Sequence, residues 1–238
     1  MTNFEFDEEK YVIGMFDRGT LGFPEGGLTL KSGRISPYYH NQRPILSHNR
    51  GLEAAGVMTV EQQRDYIRNT ARGYAQRFFE IKVPFDHVFG KAQSATAPMA
   101  VAAYEAGMSY LWERVPEEKK KGYGAHKPLE GDFEYGDYVH LGDDNTTDGQ
   151  SKIDGAGVLY RVGLQPVSLT VGFDREEGAR ERLEQLGLEM NSVTSLSRAV
   201  PILRDAKRIT EQHVEAIVQY HGDLQSSGVT TTFDLTAW

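Results

Sequence analysis

The sequence predicts an α/β fold, a parallel sheet flanked by helices. Two observations predict it. Short apolar runs at 85–89, 108–112, 137–142 and 166–173 alternate with helical stretches at 98–107, 151–164, 177–187 and 210–220, and such alternation argues for a parallel sheet covered on both faces. The length, 238 residues with 39% hydrophobic and 25% charged side chains, suits one large domain with a buried core and a polar surface.

Taken in order, residues 6–18 read as a short amphipathic helix with Tyr11, Ile13 and Met15 turned inward. The stretch LTLKSGRISPYYHN reads as strand, turn and strand, with the turn at Lys31-Ser32-Gly33-Arg34. Residues 61–80 read as a helix, because Tyr66, Thr70, Tyr74 and Phe78 recur at four-residue spacing with Ile67 beside them. FDHVF is a strand, and PMAVAAYEAG is a helix that Gly107 ends. MSYLW, DYVHLG and PVSLTVGF are three further strands, and Thr210 is a good N-cap for the last helix. Glycines thicken at 19–33, 122–136 and 142–163, each time beside charged or hydroxyl residues, as in loops whose backbone approaches a ligand. There is no internal repeat.

Composition excludes several functions. With 26 basic and 34 acidic residues the net charge is -8, which argues against nonspecific binding to nucleic acid or to an anionic membrane. The absence of cysteine rules out disulfides, thiolate nucleophiles, iron–sulfur clusters and Cys-ligated zinc. No apolar run approaches the roughly 20 residues of a membrane span. The acidic start MTNFEFDEEK does not read as a secretory signal, so the expected compartment is the cytoplasm.

In open parallel sheets ligands bind beyond the carboxyl ends of the strands, which directs attention to the residues just after 89, 112, 142 and 173. After the 137–142 strand the chain reads Asp143-Asp144-Asn145-Thr146-Thr147-Asp148-Gly149-Gln150-Ser151 and then turns helical. Adjacent carboxylates at a strand end can accept hydrogen bonds from a ribose diol or hold a hydrated magnesium ion. Backbone N–H groups at the following helix start can cradle a phosphate, with Thr147 and Ser151 as added hydroxyl donors. A surface turn that merely starts a helix has the same composition.

This segment resembles the phosphoribosyl pyrophosphate loop of type I phosphoribosyltransferases: a hydrophobic strand, two acids, two variable residues, Thr, a small residue and Gly. Two more segments, LTLKSGRISPYYHN and GFDREEGA, are similar to signatures of the orotate phosphoribosyltransferase family, in the same order. The resemblance covers about residues 20–205 and implies a single domain over 1–238, with an N-terminal hood over roughly 1–60 and a Rossmann-like core over roughly 61–238. It implies transfer of phosphoribosyl from phosphoribosyl pyrophosphate to orotate, in a homodimer that shares its active sites. Magnesium is implied as the cofactor, entering with the substrate, with Asp143 and Asp144 as candidate protein ligands. On the orotate side it implies Lys31, Tyr39, His40 and Arg175, although Lys31 also suits a solvated turn and Arg175 an ion pair with Glu177 or Asp174. Asp143 and Asp144 take the ribose diol, Thr147, Gly149 and Ser151 the 5-phosphate, and Lys91 the pyrophosphate.

The segment WERVPEEKKKGYGAHKPLEGDFEYGD stands where the family has a catalytic loop that closes over the neighbouring subunit's site. By that resemblance Lys121, Arg114 and Lys120, together with Asp144, are the candidate catalytic residues, and Tyr123 or His126 replaces the family histidine. A solvated polar loop accounts for the same composition. Asp148 departs from the family, since a carboxylate a few ångströms from a phosphate would repel it by about 4 kcal/mol at an effective dielectric near 20. Two other readings stand beside the leading one: a phosphoribosyltransferase for another base, and a regulator that binds phosphoribosyl pyrophosphate without catalysis. Lys121→Ala is expected to lower turnover about 100-fold with little change in substrate binding, as for loss of one cation aimed at developing charge. Steady-state kinetics check it, and a wild-type rate would remove Lys121 from the chemistry.

Overall fold

The computed structural model describes residues 4–30, 33–44, 49–91, 94–114 and 128–238. Lys31, Lys120, Lys121, Tyr123 and His126 lie outside the described residues. Helix α1 (Glu8–Asp17) is capped by Asp7, whose carboxylate accepts from Lys10 N. It buries Tyr11, Val12 and Met15, and Ile13, expected to point inward, is only half-buried. The Tyr11 ring stacks on Tyr66 at 6.1 Å, so Tyr11 and Met15 face inward as expected, and Val12 is buried where Ile13 was expected.

Two short antiparallel ribbons follow. Strand β1 (Leu21–Gly22) pairs with β4 (Tyr39–His40), and β2 (Leu28–Thr29) pairs with β3 (Ile35–Ser36). The second ribbon is the expected strand–turn–strand. A short helix, α2 (Arg50–Ala54), was not anticipated; Asn49 caps it. Helix α3 (Val60–Glu80) starts at a Thr59/Gln62 capping box and buries Tyr66, Thr70, Tyr74 and Phe78, the four residues its spacing singled out.

The rest is a six-stranded sheet. Its strands are β5 (His87–Gly90), β6 (Ser109–Glu113), β7 (Leu129–Glu130), β8 (Tyr138–Thr146), β9 (Gln165–Asp174) and β10 (Glu189–Ser195), in the spatial order β10-β9-β8-β5-β6-β7. All neighbours are parallel except β7, which runs antiparallel on the β6 edge. Helix α4 (Thr96–Ala106) ends at Gly107, whose φ of 66° suits glycine. The other helices are α5 (Gln150–Arg161), α6 (Ala179–Glu184), α7 (Leu196–Asp205) and α8 (Glu211–Ser226). Thr210 caps α8 as expected, with its N–H donating to His213 Nδ1 at 3.0 Å.

Strand pleating sends alternate side chains to opposite faces. Val88 and Val193 join the core beneath α1, α3, α4, α7 and α8, whereas Phe89, Leu141, Leu169 and Val171 join the core beneath α5 and α6; Phe173, at the end of β9, also belongs to the first core. Tyr11, Leu21 and Tyr38 belong to the first of these cores, so the N-terminal ribbons share an interior with the sheet. Strand β8 runs past its expected end at 142, because β9 continues beside it and pairs Asp143 with Val171, Asn145 with Phe173 and Thr146 with Asp174. None of the helices among the described residues is long and apolar enough to cross a membrane.

At Gly73, α3 packs tightly against Phe6 and against Val193 of β10. A Cβ built there would lie 2.7 Å from both Phe6 and Val193. Gly→Ala normally stabilises a helix interior by up to about 1 kcal/mol. Here overpacking reverses the sign, and Gly73→Ala is expected to cost about 1–3 kcal/mol in urea denaturation; a stabilised variant would contradict this packing.

Candidate active site

The carboxyl ends of β5 and β8 and the ribbon strand β4 enclose an open cleft of about 500 Å3. His40, Asn41 and Arg43 form its N-terminal wall, Lys91 and Ser94 come from the turn after β5, and Asp143, Asp144 and Asn145 form the floor. Ser151 and Lys152, in the first turn of α5, close the far side.

Asp143 and Asp144 lie within the last residues of β8, not in the loop after it. Asp143 Oδ2 is 2.7 Å from Lys152 Nζ, and its Oδ1 accepts from Ser94 Oγ at 3.0 Å and from the Asp144 N–H at 2.9 Å. Burial alone would raise Asp143, but Lys152 and these hydrogen bonds outweigh it and hold the carboxyl below its ordinary range. Asp144 moves the other way, up to about 6, through burial first and the Asp143 charge second. Beneath the pair, the Tyr74 hydroxyl lies within hydrogen-bond reach of the Asp143 carbonyl (3.0 Å) and of Gln42 Oε1 (2.9 Å).

Helix α5 is positioned by Gly149, which precedes it at φ 79°. The Cα of Gly149 faces Leu183 and Ala179, so the residue serves the turn and not the cleft lining. Lys91 Nζ donates to the Ser151 carbonyl, tying the β5 turn to the helix start. Asp148 does not line the cleft, but its carboxylate sits at the helix start. Its Oδ1 caps Gln150 N at 3.1 Å, its Oδ2 is 3.8 Å from Arg182, and its side chain is 61% exposed. The carboxylate thus occupies one N–H of the helix start, with Arg182 beside it.

His40 is buried, its ring stacked on Phe173 at 5.0 Å. Neither of its ring nitrogens has a hydrogen-bond partner among the described residues. Burial, and then the Arg175 charge, push it down to about 3, so the ring is neutral at physiological pH. Its carbonyl accepts from Asn145 Nδ2 at 3.3 Å, which fastens β4 to the end of β8.

Of the sequence-predicted site residues, the structure brings His40, Lys91, Asp143, Asp144 and Ser151 into one cleft. Tyr39 turns away, with its hydroxyl donating to the Gly19 carbonyl at 3.0 Å. Arg114 pairs with Glu130 at the β6–β7 edge. Thr147 stands at the approach to α5 without lining the cleft. Arg175 is buried: its Nε donates to Glu177 Oε1 at 2.8 Å, its Nη2 to Ser36 Oγ at 2.9 Å, and its guanidinium lies 4.3 Å over the Tyr38 ring. In place of the expected ligand contact, the structure shows a clamp between β9 and the N-terminal ribbons, the ion pair with Glu177 being one of the two alternatives the sequence had left open. The Tyr38 hydroxyl donates to Glu177 Oε1 (3.1 Å) and lies 3.3 Å from His221 Nε2, and His221 Nδ1 is 2.8 Å from Thr231 Oγ1. The C-terminal stretch, unexplained by sequence, thus packs on the clamp, with Phe233 against His221 at 4.5 Å.

Sequence reasoning missed Arg43 and Lys152. For Lys152 a signal existed: it shares the helical face of Gly155, Ala156 and Leu159, all of them buried.

No family model matches the chain. It is 32% identical over 179 residues to the orotate phosphoribosyltransferase of Thermococcus kodakarensis, covering 75% of this chain and 80% of that one. It is 28% identical over 209 residues to the uridine 5'-monophosphate synthase of Bos taurus, covering 88% of this chain and 39% of the bovine protein. Among solved structures it superposes on the Leishmania donovani UMP synthase with a TM-score of 0.75 at 24% identity, covering 92% of this chain and 43% of that one. The chain therefore spans about two fifths of the two synthases and most of the archaeal transferase.

The raised Asp144 sets a pH signature. Its ordinary value is 3.8 and its folded value about 6, so the folded state binds the extra proton and stability falls as pH rises between these values. Asp144→Asn is expected to gain on the order of 2 kcal/mol above that window and nothing below it, while weakening ligand binding in the cleft. Denaturant melts of both proteins on either side of the window check the sign, and a gain independent of pH would refute it.

Proposed function

The chain belongs to the orotate phosphoribosyltransferase family, and on that premise we propose that this cleft transfers the phosphoribosyl group of phosphoribosyl pyrophosphate to orotate, giving orotidine monophosphate and pyrophosphate. One observation supports this most: a buried acidic pair at a strand end shares the cleft with a helix start and with a ribbon histidine whose ring nitrogens are unpartnered among the described residues. The reaction breaks the bond from the anomeric carbon to pyrophosphate and forms one to an orotate ring nitrogen. Its transition state has oxocarbenium character, so the protein contributes position and charge and no covalent intermediate.

In this reading Asp143 and Asp144 accept from the ribose hydroxyls. Ser151 and the start of α5 receive the 5-phosphate, and Lys91 and Arg43 face the leaving pyrophosphate. Neutral His40 offers one N–H and one lone pair, which matches a ring carrying both carbonyls and N–H groups. Arg175 supports that wall through Ser36 and Tyr38.

Magnesium is proposed to enter with phosphoribosyl pyrophosphate. Both Asp143 oxygens are engaged, and no cluster of three or more His, Asp or Glu ligands occurs among the described residues, so water and the substrate would supply most of the ion's ligands. A homodimer is proposed as well, in keeping with the exposed Tyr104 on α4 and Trp112 on β6. A cytoplasmic location follows from the substrates, since a polyphosphorylated sugar does not cross a bilayer and its enzyme shares its compartment.

The test is a spectrophotometric assay of purified protein with phosphoribosyl pyrophosphate and magnesium, using orotate, uracil and hypoxanthine in parallel. Loss of orotate alone is expected. Turnover of another base would change the substrate, and binding of phosphoribosyl pyrophosphate without any turnover would make the chain a regulator.

A further inference from the structure

Lys152 sits where general rules disfavour a lysine. It occupies the first turn of α5, the helix end whose free N–H groups repel a cation. It is also buried, which strips the ammonium of water. Two such penalties on one side chain call for a compensating partner. That partner is Asp143, 2.7 Å away, with Ser151 Oγ at 2.9 Å. Asp143 in turn adjoins Asp144, so the floor of the cleft carries two like charges on consecutive buried residues and one cation fixed among them.

A cation in that place does for the acidic pair what a divalent ion would otherwise do. It offsets the mutual repulsion of the carboxylates before any ligand arrives. It is also tethered to the helix whose start faces the 5-phosphate, so one side chain links the ribose end of the cleft to the phosphate end. Taking the cleft as a phosphoribosyl site, as above, we propose that Lys152 is a positioning residue, the resident cation of the acidic pair, which lets the cleft bind a ribose phosphate with no divalent ion at the carboxylates. A purely structural ion pair would hold α5 on β8 and leave the metal dependence of binding unchanged.

The probe is ribose 5-phosphate, which lacks the pyrophosphate that carries magnesium. The whole chain is titrated with it by calorimetry, once in EDTA and once with excess magnesium. For the wild type the two dissociation constants are expected to agree within about twofold. For Lys152→Met the affinity in EDTA is expected to fall roughly tenfold or more, with magnesium restoring most of it. Lys152→Arg should keep binding metal-independent. A wild-type affinity that rises tenfold or so with magnesium overturns the proposal by itself, even if Lys152→Met fails to fold by circular dichroism. A loss in folded Lys152→Met that magnesium does not restore reduces the pair to a structural one and also overturns it. Absence of ribose 5-phosphate binding under both conditions overturns the phosphoribosyl reading of the cleft, and this proposal with it.

Discussion

Two carboxylates on consecutive buried residues form the constraint around which this cleft is built. Pleating points Asp143 and Asp144 to opposite sides of β8, yet they remain close enough for each charge to oppose the other. In a medium of low polarity such a pair cannot be left uncompensated. The protein resolves it asymmetrically. Lys152, Ser94 and a backbone N–H converge on Asp143 and keep it ionised, and Asp144 bears the remaining strain as a raised pKa. The same ion pair pins the first turn of α5 to the end of β8. The spacing between the acid pair and the helix start is thereby set by one electrostatic contact together with the Gly149 turn.

The opposite wall depends on a second buried network. Arg175, Glu177, Tyr38, His221 and Thr231 form a continuous chain of contacts from β9 through the N-terminal ribbons to the C-terminal stretch. Burial, then the Arg175 charge, lowers His221 to about 4, so it stays neutral and acts as a fixed polar link. His40 is two residues from Tyr38 on the same short ribbon, so its place in the cleft is set by the interior of the molecule and not by a free loop.

The sheet was legible wherever apolar residues alternate, as in β5, β6, β8 and β9. It was not legible at β10, whose Asn191, Ser192 and Thr194 read as polar loop although the last two are buried. Helix α7 was hidden by Pro201, a breaker by default, which here lies inside a ten-residue helix. In the cleft, residue types that chemistry makes conspicuous were found: the acid pair, Ser151, Lys91 and His40. Lys152 was missed because a lysine defaults to solvent, and only its helical phase betrays it. Asp148 was legible only in part. Its charge was plain, but its direction is decided by the Gln150 cap and Arg182, contacts that no spacing rule reveals.

These two networks leave the polar groups of the cleft in contrasting states. Around Asp143 each carboxylate oxygen is engaged, so that residue is fixed before a ligand arrives. At His40, by contrast, two buried ring nitrogens have no hydrogen-bond partner among the described residues, a condition that costs a folded protein about 1–3 kcal/mol for each unsatisfied group. Stacking on Phe173 holds the ring in that state. The floor of the cleft is thus held by satisfied charges, and the His40 ring in its wall by packing alone.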